Sequence, residues 1–403
     1  MTNTTDSAQR RLLLKALLAA SSALPFAKLS FAAVDKSTAK NQKRFVLVIL
    51  RGGMDGLQAV PAVGDADFAP ARGVLAQFTQ PVLPLDGTFA LHPNLPQLHA
   101  MFQQGELGVV HAAGLAYRER SHFDAQQVLE SGSSRPYELN TGWLGRALGG
   151  QNSKGLALTT TVPLVLRGSN AIDTWMPSNS PDPSVDLVNR MERMYSADPA
   201  LAAALSRARA LHFDGAMTSN VSADMNAPGR GNNFSVLAAR AAEFLAQTDC
   251  PQAAVLELGG WDTHANQANP NGPFANNMRQ LDSGLAALRA GLLPSGTWQN
   301  TVAVVVSEFG REVAMNGTQG TDHGTGGVAF VLGGTVNGGR IWGEWPGLSK
   351  KDRFEGRDLR ITTDIRSVLK GVLSDHLNVS TRSLNADVFP GSEALKSLTL
   401  FRA

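Results

Sequence analysis

Four glycine-flanked segments of this chain carry carboxylates and imidazoles: Arg51-Gly52-Gly53-Met54-Asp55-Gly56, Gly259-Gly260-Trp261-Asp262-Thr263-His264, Ser307-Glu308-Phe309-Gly310-Arg311 and Thr321-Asp322-His323-Gly324. Oxygen and nitrogen donors arriving from separate loops are what a divalent cation needs when they converge on one point. Asp55, Asp262, His264, Glu308, Asp322 and His323 are therefore the candidate ligands. Each also has a plainer role. Asp55 before Gly56 suits a turn, Asp262 a helix N-cap, His264 a hydrogen-bonded histidine, and Glu308 with Arg311 a local ion pair. Four loops offering such donors at one sheet edge favour a shared site over four separate structural roles.

A fifth segment, Tyr117-Arg118-Glu119-Arg120-Ser121-His122-Phe123-Asp124, supplies the candidate nucleophile, Ser121. Serine followed three residues on by aspartate and then by an apolar run is also close to a helix-capping signature. The two roles are compatible, because a helix N-terminus stabilises an alkoxide and an incoming anion. His122 is placed by sequence to act as an acid or base or to bind substrate. Arg118, Arg120 and Arg311 are the cations expected to meet an anionic substrate.

These loops need a frame. Short apolar, β-branched runs at Phe45 to Leu50, Leu107 to His111, Ala253 to Leu258, Thr301 to Val306 and Val328 to Leu332 read as buried parallel strands. Between them, Asn94 to Gln103, Phe234 to Gln247 and Phe274 to Leu292 have helical apolar spacing, and Ile365 to Leu373 reads as a last helix. The expected fold is α/β, a doubly wound, mostly parallel sheet with helices on both faces. In such sheets ligands bind beyond the carboxyl ends of the strands, where the candidate residues fall. Residues from about 167 to 230 fit the alternation poorly and read as a helical and loop insertion or cap, with a hinge at Gly229 to Asn233.

Composition narrows the function. Lys+Arg number 36 and Asp+Glu 34, so no strong positive field recommends nucleic acid as a partner. The chain opens with Arg10-Arg11, an apolar stretch from Ala16 to Ala27 and small residues near Ala32, the layout of a signal peptide over residues 1–33. That stretch is too short to span a bilayer, which takes about 20 apolar residues. Residues 34–43 read as an exposed linker, and 44–403 as the mature domain. Cys250 is the only cysteine, so no intramolecular disulfide can form.

The arginine pair resembles the twin-arginine export pattern, which implies passage of a folded, metal-loaded protein through the twin-arginine machinery to the periplasm. The ordered set LRGGMDG, RSHF, TGWLGR, GGWDTH, SEFGR and TDHGTGG resembles the family labelled domain of unknown function 1501, grouped with the alkaline phosphatase and sulfatase superfamily. That resemblance implies an alkaline-phosphatase-like fold and a serine, threonine or formylglycine nucleophile beside one or two divalent metals. It further implies Asp55 as first-strand ligand, Ser121 as nucleophile and Asp262 with His264 on one metal. Glu308 would replace an aspartate of the other metal, and His323 would be the late histidine ligand. Two departures stand out: Asp262 and His264 lie closer together than the superfamily pattern, and Glu308-Phe309 stands where Asp-His is common. One imidazole is then missing, and an oxygen-rich site would favour Ca²⁺, Mg²⁺ or Mn²⁺ over Zn²⁺. The sequence around Cys250 lacks the spacing needed to form formylglycine. The function expected is an exported metal-dependent hydrolase or transferase acting on a small or polymeric phosphoester or sulfoester. The alternative is a non-catalytic metal- or polymer-binding envelope protein on a degenerate phosphatase fold. A serine esterase ranks last, since Ser121 lacks a G-x-S-x-G elbow.

Overall fold

The computed structural model describes residues 42–151, 153–177, 183–216 and 234–402. The expected signal peptide, nearly all of the expected linker and the expected hinge at 229–233 lie outside the described residues. Strand β1 (Arg44–Leu50) has every residue buried, because both faces of the sheet are covered. Its side chains alternate between two cores, as the period of two requires. Val46, Val48 and Leu50 pack with helices Phe234–Ala246 and Pro273–Leu292, whereas Phe45, Leu47 and Ile49 pack with helices His122–Ser131 and Ile365–Asp375.

Around β1 the main sheet has nine strands. A small hairpin of β2 (Leu83–Pro84) and β3 (Ala90–Leu91) stands apart. The strands of the main sheet after β1 are β4 (Leu107–Gly114), β5 (Gly155–Ala157), β6 (Ile172–Thr174), β7 (Ala253–Leu258), β8 (Thr301–Ser307), β9 (Gly327–Gly333), β10 (Ile341–Trp342) and β11 (Thr363–Asp364). Their order is β10-β4-β9-β8-β1-β7-β5-β6, with β11 also on β4. β1 runs parallel to β7 and β8. β9, expected to be parallel, is antiparallel to both β8 and β4. The reason lies in the connection: a parallel return needs a crossover, usually helical, and the link from β8 to β9 contains no helix. This reversal matters for the site. A residue preceding a parallel strand would sit at the far edge, but one preceding β9 lies at the edge where β1, β4, β7 and β8 end.

The segment read as an insertion contributes β6, paired parallel to β5 at the sheet edge, and then two helices, Val185–Tyr195 and Pro199–Ala216. The first of these has no buried residue. No helix among the described residues is long and apolar enough to cross a membrane.

Candidate metal centre

Three side chains from three loops meet at that edge. His122 follows β4 in the first turn of its helix, Asp262 follows β7, and His323 precedes β9. One donor atom of each lies within 4.8 Å of the other two. His122 Nε2 and His323 Nε2 are 3.1 Å apart, and Asp262 sets its Oδ1 3.1 Å from His323 Nε2 and its Oδ2 3.5 Å from His122 Nε2. His264 borders the group, its Nε2 being 2.8 Å from Asp262 Oδ1 and 3.1 Å from His323 Nε2.

The outer nitrogens explain how the rings are held. Nδ1 of His122 donates to Glu308 Oε1 at 2.9 Å, Nδ1 of His323 to the Arg120 carbonyl at 3.1 Å, and Nδ1 of His264 to Asp322 Oδ1 at 3.3 Å. Since those acceptors cannot donate, each Nδ1 carries a proton, and with a cation bound each Nε2 would offer it a lone pair. Three imidazole lone pairs and a carboxylate aimed at one another are the donor set of a transition-metal site, and fixing the far nitrogen with a carboxylate or carbonyl is its usual support. The Arg120 carbonyl reaches His323 from a backbone in the left-handed region, φ 60°, a conformation costly for arginine and common at functional sites.

Electrostatics agree with a preorganised cluster. The Glu308 hydrogen bond raises the His122 pKa, while burial lowers that of His323. Burial alone would raise Asp262, but the hydrogen bond and charge of Arg311, helped by His323 and His264, bring it down to about 2. Burial likewise opposes ionisation of Glu308, yet His122, Gln126 and the Gly52 amide together hold its pKa below the ordinary value. A hydrogen bond from Asn316 lowers Asp322. The side chains of Asp262 and His264 are 45% and 43% exposed, so this side of the cluster opens to solvent. A cleft of about 300 Å³, lined by Arg51, Thr159, Thr160, Glu257 and Gly259 among others, opens close by in the chain, since Arg51 and Gly259 adjoin Gly52 and Gly260.

Several sequence expectations change in this geometry. Asp55 does not join the cluster: it is buried, pairs with Arg72 at 2.5 Å, accepts from Gln267 Nε2 at 2.7 Å, and caps its short helix through Gln58 N. Its carboxylate is occupied by protein donors. Glu308 stands behind His122 and Asp322 behind His264, both as supports of a ring. Arg311, expected to hold substrate, is fully buried and clamps three loops, donating to Gly52 O, Gly53 O, Thr321 O, Trp261 O and Asp262 Oδ1. Arg120 pairs with Asp358 and Glu355, and Arg118 lies over the Phe354 ring at 5.7 Å. Ser121 occupies the N-cap position of the His122 helix without a side-chain capping bond. Its neighbour His122, read as an acid or base or a substrate binder, lies with Asp262 and His323 in the cluster and brings to it an imidazole the superfamily pattern did not lead one to expect. The donor set is therefore richer in nitrogen than the spacing of Asp262 and Glu308 suggested. Arg72, Gln126 and Gln267 carried no sequence signal beyond being polar.

The glycines here permit close loop packing. A Cβ on Gly52, φ 117°, would come within 2.7 Å of the Asp262 amide nitrogen, and one on Gly310 would overlap the Gly326 carbonyl.

Comparison with solved structures gives distant likenesses over most of the chain. A lipoteichoic acid synthase, LtaP, from Listeria monocytogenes is 12% identical, with 90% of this chain and 78% of that chain covered, at a TM-score of 0.41. A 2-O GAG sulfatase is 11% identical over 88% of this chain and 72% of that one, also at 0.41. A protein in the alkaline phosphatase superfamily from Vibrio parahaemolyticus is 12% identical over 73% and 60%, at 0.37. No curated protein sequence matches the chain. The family model described as protein of unknown function (DUF1501) matches residues 87–380, and the chain belongs to that family.

Proposed function

We propose that this protein is a metal-dependent hydrolase or transferase of anionic esters, phosphoesters or sulfoesters, with one divalent cation held by His122, Asp262, His323 and His264. The observation that carries this reading is the inward convergence of imidazole Nε2 atoms on one carboxylate, each ring anchored at its far nitrogen. Imidazole donors suit Zn²⁺ better than Ca²⁺, Mg²⁺ or Mn²⁺. A single cation follows from Asp55, whose oxygens are taken by Arg72, Gln267 and the Gln58 amide. A cation at this position supplies Lewis acidity to an ester oxygen and lowers the pKa of a hydroxyl or water nearby.

The chain's own residues do the rest. Glu308 keeps the proton on His122 Nδ1, Arg311 keeps Asp262 ionised and fixed, and the open face admits an ester carried on a larger molecule. Ser121, one residue before His122 at a helix N-terminus, is the hydroxyl best placed along the chain to attack. A non-catalytic, metal-binding envelope protein is the second reading. It is favoured by one observation: Arg311 and Arg120, the cations expected to hold an anion, are already paired with carboxylates. Export through the twin-arginine route, with maturation near residue 33, remains part of the proposal.

Elemental analysis of the exported protein, beside an Asp262→Ala, His323→Ala double variant, tests the site. One metal per chain, lost in the double variant, is expected, followed by turnover of aryl phosphate or aryl sulfate that depends on Ser121. Metal-free wild-type protein that gains no stability from added Zn²⁺ or Mn²⁺ overturns it, and stoichiometric metal without turnover of either ester selects the second reading.

A further inference from the structure

Away from the metal cluster, a cleft of about 180 Å³ opens between residues 77–80, the loop at 92–94 and residues 267–271. Seven of its fifteen lining residues are amides, among them Gln77, Gln80, Asn94, Asn269 and Asn271, and none is a carboxylate. An amide offers a donor and an acceptor without net charge, and of the seven Gln58 and Gln267 use theirs within the protein. The side chains of Gln77, Gln80 and Asn271 have no hydrogen-bond partner among the described residues, so their donors and acceptors are available to a ligand.

Two rings add to the set. His92 Nδ1 accepts the amide N–H of Asn94 at 3.1 Å, so its proton sits on Nε2, which has no partner among the described residues. Burial and the charge of Arg279 keep that ring neutral, with a pKa near 4, so Nε2–H is a donor at ordinary pH. Phe78 meets the His92 ring at 5.6 Å, edge to face, and gives the wall one apolar surface. The back wall is rigid. Gln267 is buried, donating to Asp55 and accepting from Thr263 and Thr321, the residues flanking the Asp262 and His323 loops.

We propose that this cleft binds a single sugar ring. Paired hydroxyls match amides that both donate and accept, and the C–H face of a pyranose matches Phe78. A volume below the roughly 300–1,000 Å³ typical of drug-sized pockets admits one ring rather than an extended ligand. The absence of carboxylates and the presence of Arg279 also permit a sugar bearing an anionic substituent. The site stands independently of the metal reading, and Gln267 joins its wall to the loops that carry the cluster.

The test is saturation-transfer NMR on the full chain with D-glucose, D-galactose, D-mannose and N-acetyl-D-glucosamine, with glycerol as a polyol control. Transfer to the ring protons of at least one sugar is expected, with affinity falling at least tenfold in Gln80→Ala, Asn271→Ala. No transfer from the wild-type protein to any of the four sugars overturns the proposal. So does a sugar signal no stronger than that of glycerol, or one that survives in the folded Gln80→Ala, Asn271→Ala variant.

Discussion

Replacing Glu308 by glutamine separates a supporting role from direct ligation. Glu308 is buried, and its Oε1 accepts from Gly52 N at 2.8 Å, His122 Nδ1 at 2.9 Å and Gln126 Nε2 at 3.1 Å. A glutamine of the same shape keeps that oxygen. The change falls on charge: the bond to His122 loses its ionised acceptor, which takes a contribution of about 1.5–3 kcal/mol towards the 0.5–1.5 of a neutral bond. The new amide nitrogen also faces Ser307 Oγ, which lies 3.1 Å from Oε2 and already donates to Leu50 O. Loss of one such supporting partner ordinarily weakens metal affinity by about 10–100-fold, which is roughly 1.4–2.7 kcal/mol. Competition against a chromophoric chelator, with a melting curve to establish folding, reads this directly. A Kd raised 10–100-fold in a folded variant is expected. A Kd within twofold of wild type refutes the coupling through His122, and complete loss, equal to that in Asp262→Ala, makes Glu308 a direct ligand, as the sequence pattern had suggested.

Arg72→Met leaves Asp55 buried and uncompensated, so urea denaturation is expected to show a loss of about 3–5 kcal/mol, largely recovered in Arg72→Met, Asp55→Asn. If the double variant fails to recover stability, Arg72 is not there to neutralise Asp55. His111 and His376 are buried with pKa values near 4, below the ordinary value of about 6.5. The unfolded chain therefore binds protons first, and stability present above about pH 6.5 is lost as pH falls towards 4, by up to about 3 kcal/mol per histidine; equal urea midpoints at pH 7.5 and pH 4.5 contradict this. Asp262, held at about 2, contributes stability present above its unfolded pKa of about 4. The advantage of metal-free wild type over Asp262→Asn should thus disappear between about pH 4 and pH 2, and a difference in melting temperature independent of pH argues against the Arg311 pairing.

How legible this was in the sequence differs between frame and site. The long strands and helices were readable because their apolar runs have the right length and period: β1, β4, β7, β8 and β9 lie where the runs were. The direction of β9 was not, since a strand buried on both faces reads the same either way. The discriminating signal was the stretch between Glu308 and Gly326, which lacks the helical periodicity a crossover needs. β5, β6, β10 and β11 are only two or three residues long, too short for any period to show. At the site, Asp262, His264 and His323, singled out by type and place, lie together in the fold. Asp55 misled because its true partner, Arg72, lies 17 residues away with nothing in the intervening sequence to mark it.

The order of strands explains why Glu308 and Arg311 act as supports. β8 lies midway between β4 and β7 in the sheet, with β9 on one side and β1 on the other. The loop that leaves β8 can therefore reach both the helix after β4, which bears His122, and the loop after β7, which bears Asp262. It does so with opposite charges: Glu308 accepts from His122 Nδ1 and Arg311 donates to Asp262 Oδ1. Both are buried, at 0% and 1% exposure, and only three residues apart, so a displacement of one carries the other with it. Two candidate ligands, carried by strands on either side of β8, are thereby locked to one central loop, and their mutual distance is set by a single backbone segment. Phe309, between the two supports, packs against the His122 and His323 rings at 4.8 and 5.1 Å and completes that segment's hold on the cluster. The residue that departs from the expected Asp-His pair thus acts as packing behind two imidazoles, while His122 brings the nitrogen donor from across the sheet.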